Sequence, residues 1–240
     1  MITLAIFTSA NSFSTFVATI ESFFDKCRNR QLITEIIHVD DRSTIENIDF
    51  YNNVIKIVFK GVPIFDLHKK ENLDFTHARN CEYFRREIIK SKNKNVFILE
   101  DDWFFIRNFD LKYLNDSLNS CNSTQISLTT NINPLIDGNY VKMDTSKILG
   151  FYQNDSEVLY TISERFEINK YVWNQVFRYN YFSLNPSLNK IDFFIKNGEF
   201  DIAADFEIKY NLRDLKKSFS TNLLSDEPYA VHIGKYKNLL

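Results

Sequence analysis

Three consecutive carboxylates, Glu100, Asp101 and Asp102, directly follow a short apolar run at residues 96–99. Such a run predicts a strand that is buried on both faces of a sheet. Carboxylates crowded at the end of a buried strand repel one another and lose hydration, and a divalent cation is the simplest compensation. Mn²⁺ or Mg²⁺ would fit, because hard cations prefer carboxylate oxygens. The alternative interpretation is a solvated acidic turn.

A second acidic strand end strengthens the case for a binding site. Asp40 and Asp41 follow the predicted strand at residues 33–39. In an open α/β sheet, ligands bind outside the carboxyl ends of parallel strands, so two acidic strand ends would share one edge. We expect a nucleotide to bind there, although the pair could also be a helix cap or a plain turn.

The surrounding pattern predicts an α/β fold in which helices layer a mostly parallel central sheet. No internal repeat or linker divides the chain, so we expect a single domain over residues 1–240. Predicted strands cover residues 2–7, 33–39, 54–59, 96–99 and 126–130, with a strand or hairpin arm at 158–166. Predicted helices cover residues 13–28, 75–90, 188–197 and 203–211, with a loop at 61–74 and a helix stop at Gly198.

Composition excludes several functional classes. The formal net charge of −2 gives no basic field to recruit nucleic acid. The three cysteines are widely spaced and form neither a metal-binding pair nor an even disulfide set. The first residues lack a basic segment typical of a signal peptide, and no apolar run reaches the ~20 residues of a membrane span. We therefore expect a soluble, cytoplasmic protein.

Three motifs in a fixed order resemble those of GT-A-fold glycosyltransferases of the family-2-like group. The sequence Val-Asp-Asp-Arg-Ser-Thr at residues 39–44 is similar to their second-strand motif, and His-Ala-Arg-Asn-Cys at 77–81 resembles the start of a later helix. The sequence Val-Phe-Ile-Leu-Glu-Asp-Asp at 96–102 resembles their D-x-D strand end. The resemblance covers residues 2–110 well and 183–235 loosely. It implies a Rossmann-like GT-A fold with a nucleotide-sugar-binding half at 1–110 and an acceptor-binding half at 111–240.

The resemblance implies a role for each matching position. Thr8 and Ser9 would line the nucleotide pocket, and Arg79 would lie against the base or the phosphates. Asp102 would coordinate the metal that bridges the diphosphate, with His232 as a further ligand. Asp205 would be the catalytic base that removes the acceptor hydroxyl proton. The full set of implied substrate-binding residues is Thr8, Ser9, Asp40, Asp41, Arg79, Glu100, Asp101, Trp103 and Glu207.

Several of these residues also have ordinary structural interpretations. Asp205 and Glu207 are typical of a solvated helix face, and His232 and Trp103 are typical of a satisfied histidine and a core aromatic. Glu100 stands where the family has its first Asp, and the extra methylene changes its reach toward the ribose or the metal. His38, His68 and His77 are interpreted as structural.

The function implied by the resemblance is metal-dependent transfer of a sugar from a nucleotide-diphosphate sugar to an acceptor hydroxyl on a glycan. A UDP-sugar is favoured as donor, and inversion is favoured because Asp205 is available as a base. One alternative is a catalytically inactive nucleotide-sugar-binding protein with the same fold. Another is a sugar-phosphate nucleotidyltransferase, which would need a Gly-rich basic loop after the first strand. Residues 8–14 contain no Gly, Lys or Arg, which disfavours it.

Overall fold

A computed structural model describes residues 1–10, 12–68, 76–120, 124–128, 161–168, 171–177, 184–200, 221–223 and 229–234. The strands are β1 (Ile2–Ser9), β2 (Cys27–Arg28), β3 (Ile33–Asp41), β4 (Ile64–His68), β5 (Asn95–Glu100), β6 (Trp103–Phe105), β7 (Phe109–Asp110), β8 (Gln125–Ser127), β9 (Thr161–Ile168), β10 (Tyr171–Phe177), β11 (Ser187–Lys190), β12 (Thr221–Leu223) and β13 (Ala230–His232). The helices are α1 (Phe13–Lys26), α2 (Ile45–Val58), α3 (Thr76–Ile88), α4 (Leu111–Ser120) and α5 (Ile191–Asn197), with a 3₁₀ turn at Arg30–Leu32.

Seven strands form the central sheet in the order β12-β8-β11-β5-β1-β3-β4. The pairs β1–β3, β1–β5, β3–β4 and β12–β8 are parallel, and only β11 runs antiparallel to its two neighbours. The mostly parallel sheet predicted from the sequence is therefore confirmed. Small pairs form at β6–β13 and β2–β7, and β9 and β10 form a separate antiparallel hairpin.

Two hydrophobic clusters, one on each face of the sheet, make a three-layer structure. On one face Phe16, Phe23 and Tyr51 of α1 and α2 pack against Leu4 and Ile6 of β1. On the other face the core is built from α3 and α5, including Ala78, Phe84, Ile191 and Phe194. β1 and β5 lie at the centre and are buried along almost their whole length. Their continuous apolar sequences are what burial between two helical layers requires.

The most instructive correction concerns residues 54–59, which were predicted to be a strand and instead end helix α2. The segment Val-Ile-Lys-Ile-Val-Phe is rich in β-branched residues, a composition that is also typical of a strand. The helix is set earlier, where the Thr44 side chain accepts a hydrogen bond from the Asn47 N–H at 3.4 Å. The buried positions Ile48, Tyr51, Asn52 and Ile55 are spaced as one helical face.

Two further boundaries differ from the prediction. Residues 61–74 were predicted to be a loop, but residues 64–68 form β4 at the edge of the sheet. Residues 188–190 were assigned to a helix, yet they belong to β11, which pairs with β5 and β8, and α5 begins at Ile191. Gly198 ends α5 with a positive φ of 79°, as predicted for a helix stop.

The other predicted elements within the described residues are confirmed, with small boundary shifts, as β1, α1, β3, α3, β5, β8 and a hairpin arm at β9. The predicted helix at 203–211, with Asp205 and Glu207, lies outside the described residues. Within the part of the chain that is described, no helix has the length and apolar character needed to cross a bilayer. The single-domain assignment and its two halves stay predictions.

Candidate active site

The carboxyl ends of β1, β3 and β5 bring the predicted site residues to one edge of the sheet. In register, Thr8 lies beside Asp40, Ser9 beside Asp41, and Phe7 beside Glu100. The pairing continues one residue beyond β1, where the Ala10 N–H donates to the Asp41 carbonyl at 3.2 Å. Both acidic strand ends therefore flank the end of β1.

Asp101 turns into the protein at this edge. One of its carboxylate oxygens accepts from the Ser9 backbone N–H at 2.6 Å and from the Ser9 hydroxyl at 3.0 Å. The residue is only 5% exposed. Asp101 therefore fastens the end of β5 to the end of β1.

Tyr51 of α2 stabilises the backbone at Ser9, the last residue of β1. Its hydroxyl donates to the Ser9 carbonyl at 3.1 Å, and Ser12 Oγ donates to that carbonyl at 2.7 Å. Burial raises the pKa of Tyr51, and the negative charges of Asp101 and Asp40 add to this rise although a hydrogen bond from Ser12 opposes it. The phenol therefore stays neutral and acts as a hydrogen-bond donor beneath the acidic edge.

The Asp40 side chain is also buried, with 1% exposure, and its hydrogen-bond partners belong to the protein. Its two carboxylate oxygens accept from the Thr8 hydroxyl at 2.6 Å and from the Ser43 backbone N–H at 2.8 Å. The Asn80 side chain donates to the Asp40 carbonyl at 3.2 Å, which docks the first turn of α3 against the end of β3. We call Thr8, Ser9, Asp40 and Asp101 the buried floor.

Two more charged residues border the buried floor. Arg79 lies next to Asn80 in the first turn of α3, and its Nε is buried with no hydrogen-bond partner among the described residues. Asp41 accepts from Arg42 Nε at 3.3 Å, and the Arg42 side chain is exposed. Two cationic residues therefore accompany the carboxylates of this edge.

Asp102 and His232 meet on the outer side of this edge. Asp102 Oδ2 lies 3.0 Å from His232 Nε2, and the side chains are 16% and 31% exposed. Backbone pairing aligns them, because β6 and β13 are antiparallel with His232 opposite Trp103, and the Ile233 N–H donates to the Asp102 carbonyl at 2.7 Å. Residues 130 positions apart in the chain are thus brought together. We call these two residues the metal pair, after the ligand role that the sequence resemblance implies for them.

Gly234 leaves open the space beside the metal pair. A Cβ built on this residue would lie 2.5 Å from Asp102 Oδ2 and 2.9 Å from His232 Nε2. Its φ is not in the positive region, unlike those of Gly61 and Gly198, so the backbone itself does not require glycine there. The missing side chain therefore keeps the donor atoms of the metal pair accessible.

Trp103 joins the metal pair to the preceding acid. Its ring centroid lies 5.1 Å from that of His232, and its indole N–H donates to Glu100 Oε2 at 3.2 Å. Trp103 is 8% exposed, so it orients its two neighbours and leaves little surface for stacking on a sugar. Within the described residues, no group of three or more His, Cys, Asp or Glu side chains converges on one point.

Sequence reasoning missed four contributors to this site: Tyr51, Asn80, Gly234 and His38, whose Nε2 lies 2.9 Å from the Thr8 hydroxyl. Tyr51 lies in residues 45–53, for which the sequence predicted no element, and a glycine gives no chemical signal of its own. Asn80 was part of a recognised motif, but nothing in the sequence distinguished it from the adjacent Arg79.

The structure is similar to solved GT-A-type glycosyltransferases. S. aureus TarS residues 1–349 superpose with a TM-score of 0.57 at 15% identity, covering 99% of this chain and 62% of that one. GalNAc-T7 with UDP, GalNAc and Mn²⁺ gives a TM-score of 0.60 at 12% identity, covering 97% and 44%. The mannosyltransferase PcManGT from Pyrobaculum calidifontis, with GDP-Man and Mn²⁺, gives 0.58 at 10% identity, covering 96% and 56%.

The chain has the GT-A fold. Identities this low establish the fold alone, and the chain spans less than two thirds of each of these proteins. No protein-family model matches the sequence, and no curated protein matches it either. In this GT-A fold the buried floor and the metal pair lie at the carboxyl edge of the sheet, where open α/β sheets bind their ligands.

Proposed function

We propose that this protein is a metal-dependent glycosyltransferase that moves a sugar from a nucleotide-diphosphate sugar to an acceptor hydroxyl. The observation that carries the proposal is the convergence of Asp102 and His232, from distant parts of the chain, on a space that Gly234 leaves open. A carboxylate and an imidazole are both suitable ligands for a divalent cation.

The geometry of the metal pair supports this assignment. Mg²⁺ binds its ligands at about 2.1 Å in an octahedron, so neighbouring ligand atoms are about 3.0 Å apart. Asp102 Oδ2 and His232 Nε2 are hydrogen-bonded at 3.0 Å, a separation that two neighbouring ligands of one octahedral cation would also have. Two protein ligands are also typical of sites in which water and substrate phosphates complete the coordination. Asp102 and His232 would therefore hold Mn²⁺ or Mg²⁺.

Each protein group near the metal pair would have a definite task. The bound cation would supply Lewis-acid stabilisation for negative charge on the departing diphosphate. Arg79, with its unpaired Nε, would contact the base or the phosphates. The buried floor would shape the nucleotide pocket, with Asp40 and Asp101 holding Thr8 and Ser9 in position. Asp41 and Glu100 would face the base and the ribose.

Two further features belong to the proposal. Asp205 would accept the acceptor hydroxyl proton, a step that typically contributes about 100- to 10,000-fold, and a single base favours inversion. A UDP-sugar is our preferred donor. The neighbours that bind UDP, UDP-GlcNAc or GDP-Man support a nucleotide-sugar donor, and those with Mn²⁺ support a metal, without choosing the sugar or the acceptor.

The test is calorimetric titration of the protein with UDP, and with GDP for comparison, in the presence of Mn²⁺ and again with EDTA. We expect UDP to bind with Mn²⁺ and to bind at least about tenfold more weakly without it. Absence of any metal-dependent nucleotide binding would overturn the proposal. Release of UDP from a panel of UDP-sugars then separates an active transferase from an inactive binding protein.

A further inference from the structure

Helix α1 carries two buried hydroxyl side chains that contact the backbone of β6. The Trp103 N–H donates to Thr19 Oγ1 at 3.1 Å, and the Phe105 N–H donates to Ser22 Oγ at 3.0 Å. Both hydroxyl residues and both donors are buried, so bulk water does not replace these contacts. α1 is therefore a hydrogen-bonding neighbour of β6 as well as a packing partner.

The two hydroxyls take the place of a second strand beside β6. β13 pairs with β6 along one edge. Successive residues of a strand direct their backbone groups to opposite edges, so the N–H groups of Trp103 and Phe105 share the edge that faces α1. Thr19 and Ser22 are three positions apart and lie on one face of the helix, at a spacing comparable to that of the two N–H groups. The helix thus supplies the acceptors that these buried N–H groups require.

These hydroxyls are exceptions on a largely apolar helix face. Ile20 and Phe23 of α1 belong to the core, and the Phe23 ring lies 5.4 Å from that of Phe105. Ser and Thr are weaker helix formers than Leu or Ala because their hydroxyls compete for backbone groups. Ser22 gives its proton to the Thr19 carbonyl at 3.1 Å, which leaves its oxygen lone pairs free to accept from β6.

The Thr19 contact acts on the peptide group that joins Asp102 to Trp103. The N–H of this group is the Trp103 N–H held by Thr19, and its carbonyl is that of Asp102. The same carbonyl accepts from the Ile233 N–H at 2.7 Å. The peptide group is therefore held at both ends, by α1 on one side and by the residue after β13 on the other. Because a peptide group is planar, holding both ends fixes its orientation.

The orientation of this peptide group sets the direction of the Asp102 side chain. The backbone dihedrals on either side of a Cα determine where its Cβ points, and Asp102 Oδ2 lies 3.0 Å from His232 Nε2. His232 precedes Ile233, so the contact that holds the carbonyl also holds the second member of the metal pair. Thr19 is the only remaining support of this peptide group that comes from another layer of the described structure.

We infer that Thr19 is a positioning residue for the metal pair, because it holds the peptide group that directs Asp102 toward His232. Its effect on metal binding rests on the proposed function, whereas its effect on the contact between Asp102 and His232 does not. Without the Thr19 oxygen, the Trp103 N–H is buried without its acceptor, and the peptide group can turn about the contact at Ile233. Asp102 then loses its fixed direction.

The first test is hydrogen exchange of the Trp103 amide in the full chain, which needs neither metal nor nucleotide. The chain has only 2 Trp residues, so ¹⁵N-tryptophan labelling gives two backbone amide signals, and Trp173→Phe assigns them. We expect slow exchange in the wild type and in Thr19→Ser, which keeps the oxygen. Exchange should be about tenfold faster in Thr19→Val, which keeps the shape but lacks the acceptor. Equal exchange in the wild type and Thr19→Val would overturn the inference.

The second test follows the ¹⁵N signals of the His232 ring in the metal-free protein at one pH. The chain has 4 histidines, and loss of a signal pair in His232→Gln assigns them. Thr19→Val should displace these signals because Asp102 no longer holds its hydrogen bond to the ring, and Thr19→Ser should restore them. If Thr19→Val does not fold, Thr19→Ala removes the same oxygen and replaces it in every measurement. Unchanged His232 signals in the folded variant would overturn the positioning role.

Two matched controls separate positioning from a general loss of stability. Thr15→Val removes another buried hydroxyl of α1, which donates to the Ser12 carbonyl at 3.0 Å and does not reach β6. Ser22→Ala removes the acceptor at the far end of β6. Both should lower the urea-unfolding midpoint and leave the His232 signals in place. Equal displacement of these signals by all three variants would make Thr19 an ordinary structural residue and overturn the inference.

The functional consequence is measured as Mn²⁺ affinity, from the EPR signal of free Mn²⁺. Thr19→Val should bind Mn²⁺ about tenfold more weakly than the wild type, whereas Thr19→Ser and both controls should stay within about twofold. If the wild type binds Mn²⁺ and Thr19→Val binds it equally well, the positioning role fails and the proposed function stands. If the wild type binds no Mn²⁺, the proposed function fails, and the Trp103 exchange and His232 signals still decide the role of Thr19.

Discussion

The buried floor and the metal pair occupy the same edge of the sheet but treat their carboxylates in opposite ways. Asp40 and Asp101 are 1% and 5% exposed, and their oxygens accept short hydrogen bonds from Thr8, Ser43 and Ser9. Asp102 is 16% exposed and faces His232 across 3.0 Å, beside the space at Gly234.

Asp101 and Asp102 are adjacent in the sequence, yet the difference between their surroundings indicates different roles. In the floor, backbone and hydroxyl donors compensate the buried charge, so the carboxylates stabilise structure. In the metal pair, the Asp102 carboxylate is hydrogen-bonded to the His232 ring and lies beside the space at Gly234, an arrangement of carboxylate and imidazole that suits an exchangeable cation. Substitutions in the floor should therefore change folding, and substitutions in the metal pair should change binding and turnover.

Asp102→Asn should have the largest effect. Replacing a charged metal ligand by an amide removes the electrostatic stabilisation of the leaving diphosphate, so sugar-transfer turnover should fall by about 100- to 1,000-fold. The denaturation midpoint should stay within the range of ordinary surface substitutions. Turnover and the urea-unfolding midpoint are measured on the same preparation. Wild-type turnover in this variant would show that Asp102 is not a metal ligand.

Asp101→Asn should lower the stability of the protein and leave UDP affinity nearly unchanged, which is the reverse of the result expected for Asp102→Asn. The amide loses the charge that accepts two hydrogen bonds from Ser9, so the free energy of unfolding should fall by about 1–3 kcal/mol. Metal-dependent UDP affinity of the folded fraction should change little. An unchanged stability together with lost UDP binding would mean that Asp101 contacts the nucleotide directly.

The fold class, and the meeting of the two acidic strand ends at one sheet edge, could be predicted from the sequence because they depend on strong local signals. Continuous apolar runs predicted β1 and β5, and carboxylates after β3 and β5 predicted that their side chains would share one edge. The identity of α2 could not be predicted from residues 54–59, its last five residues and its C-cap, because the decisive signals were the Thr44 cap and a buried face that began earlier.

The tasks of individual site residues were less accessible to sequence reasoning. Glu100, Asp101 and Asp102 are chemically alike, and only the tight turn after β5 decides that Asp101 faces Ser9 while Asp102 faces His232. His38 was interpreted as structural because a single histidine in an apolar strand is usually a satisfied core residue. Its partners Thr8, Asn52 and Asp66 come from three different elements, and no spacing in the sequence brings them together.

Gly234→Ala tests the role of the metal pair while leaving Asp102 and His232 themselves unchanged. The new Cβ would crowd Asp102 Oδ2, so Mn²⁺ affinity should fall by about 10- to 100-fold, as for other changes that reorient metal ligands. The free energy of unfolding should also fall, by about 1–3 kcal/mol, because the Cβ must displace the Asp102 and His232 side chains, although the backbone of Gly234 is not in the positive-φ region. Calorimetric titration with Mn²⁺ and thermal unfolding measure the two effects.

Gly198→Ala is the matched control for that substitution. Gly198 has a φ of 79° and no atom within 4 Å of a built Cβ, so its alanine variant should lose about 1 kcal/mol of stability and keep its Mn²⁺ affinity. If both alanine variants bind Mn²⁺ like the wild type, the open space at Gly234 has no part in metal binding.

Tyr51→Phe should have the smallest effect, because the buried floor holds Ser9 by more than one contact. The variant deletes a 3.1 Å hydrogen bond to the Ser9 carbonyl, while Ser12 still donates to that oxygen at 2.7 Å and Asp101 still accepts from the Ser9 N–H. We expect a loss of about 0.5–1.5 kcal/mol in the free energy of unfolding, with UDP affinity within about twofold of wild type. If UDP affinity falls by more than the loss of stability explains, the position of the Ser9 backbone contributes to nucleotide binding. The floor carboxylates would then control nucleotide affinity as well as stability, and the division between a structural and a chemical set of carboxylates would have to be abandoned.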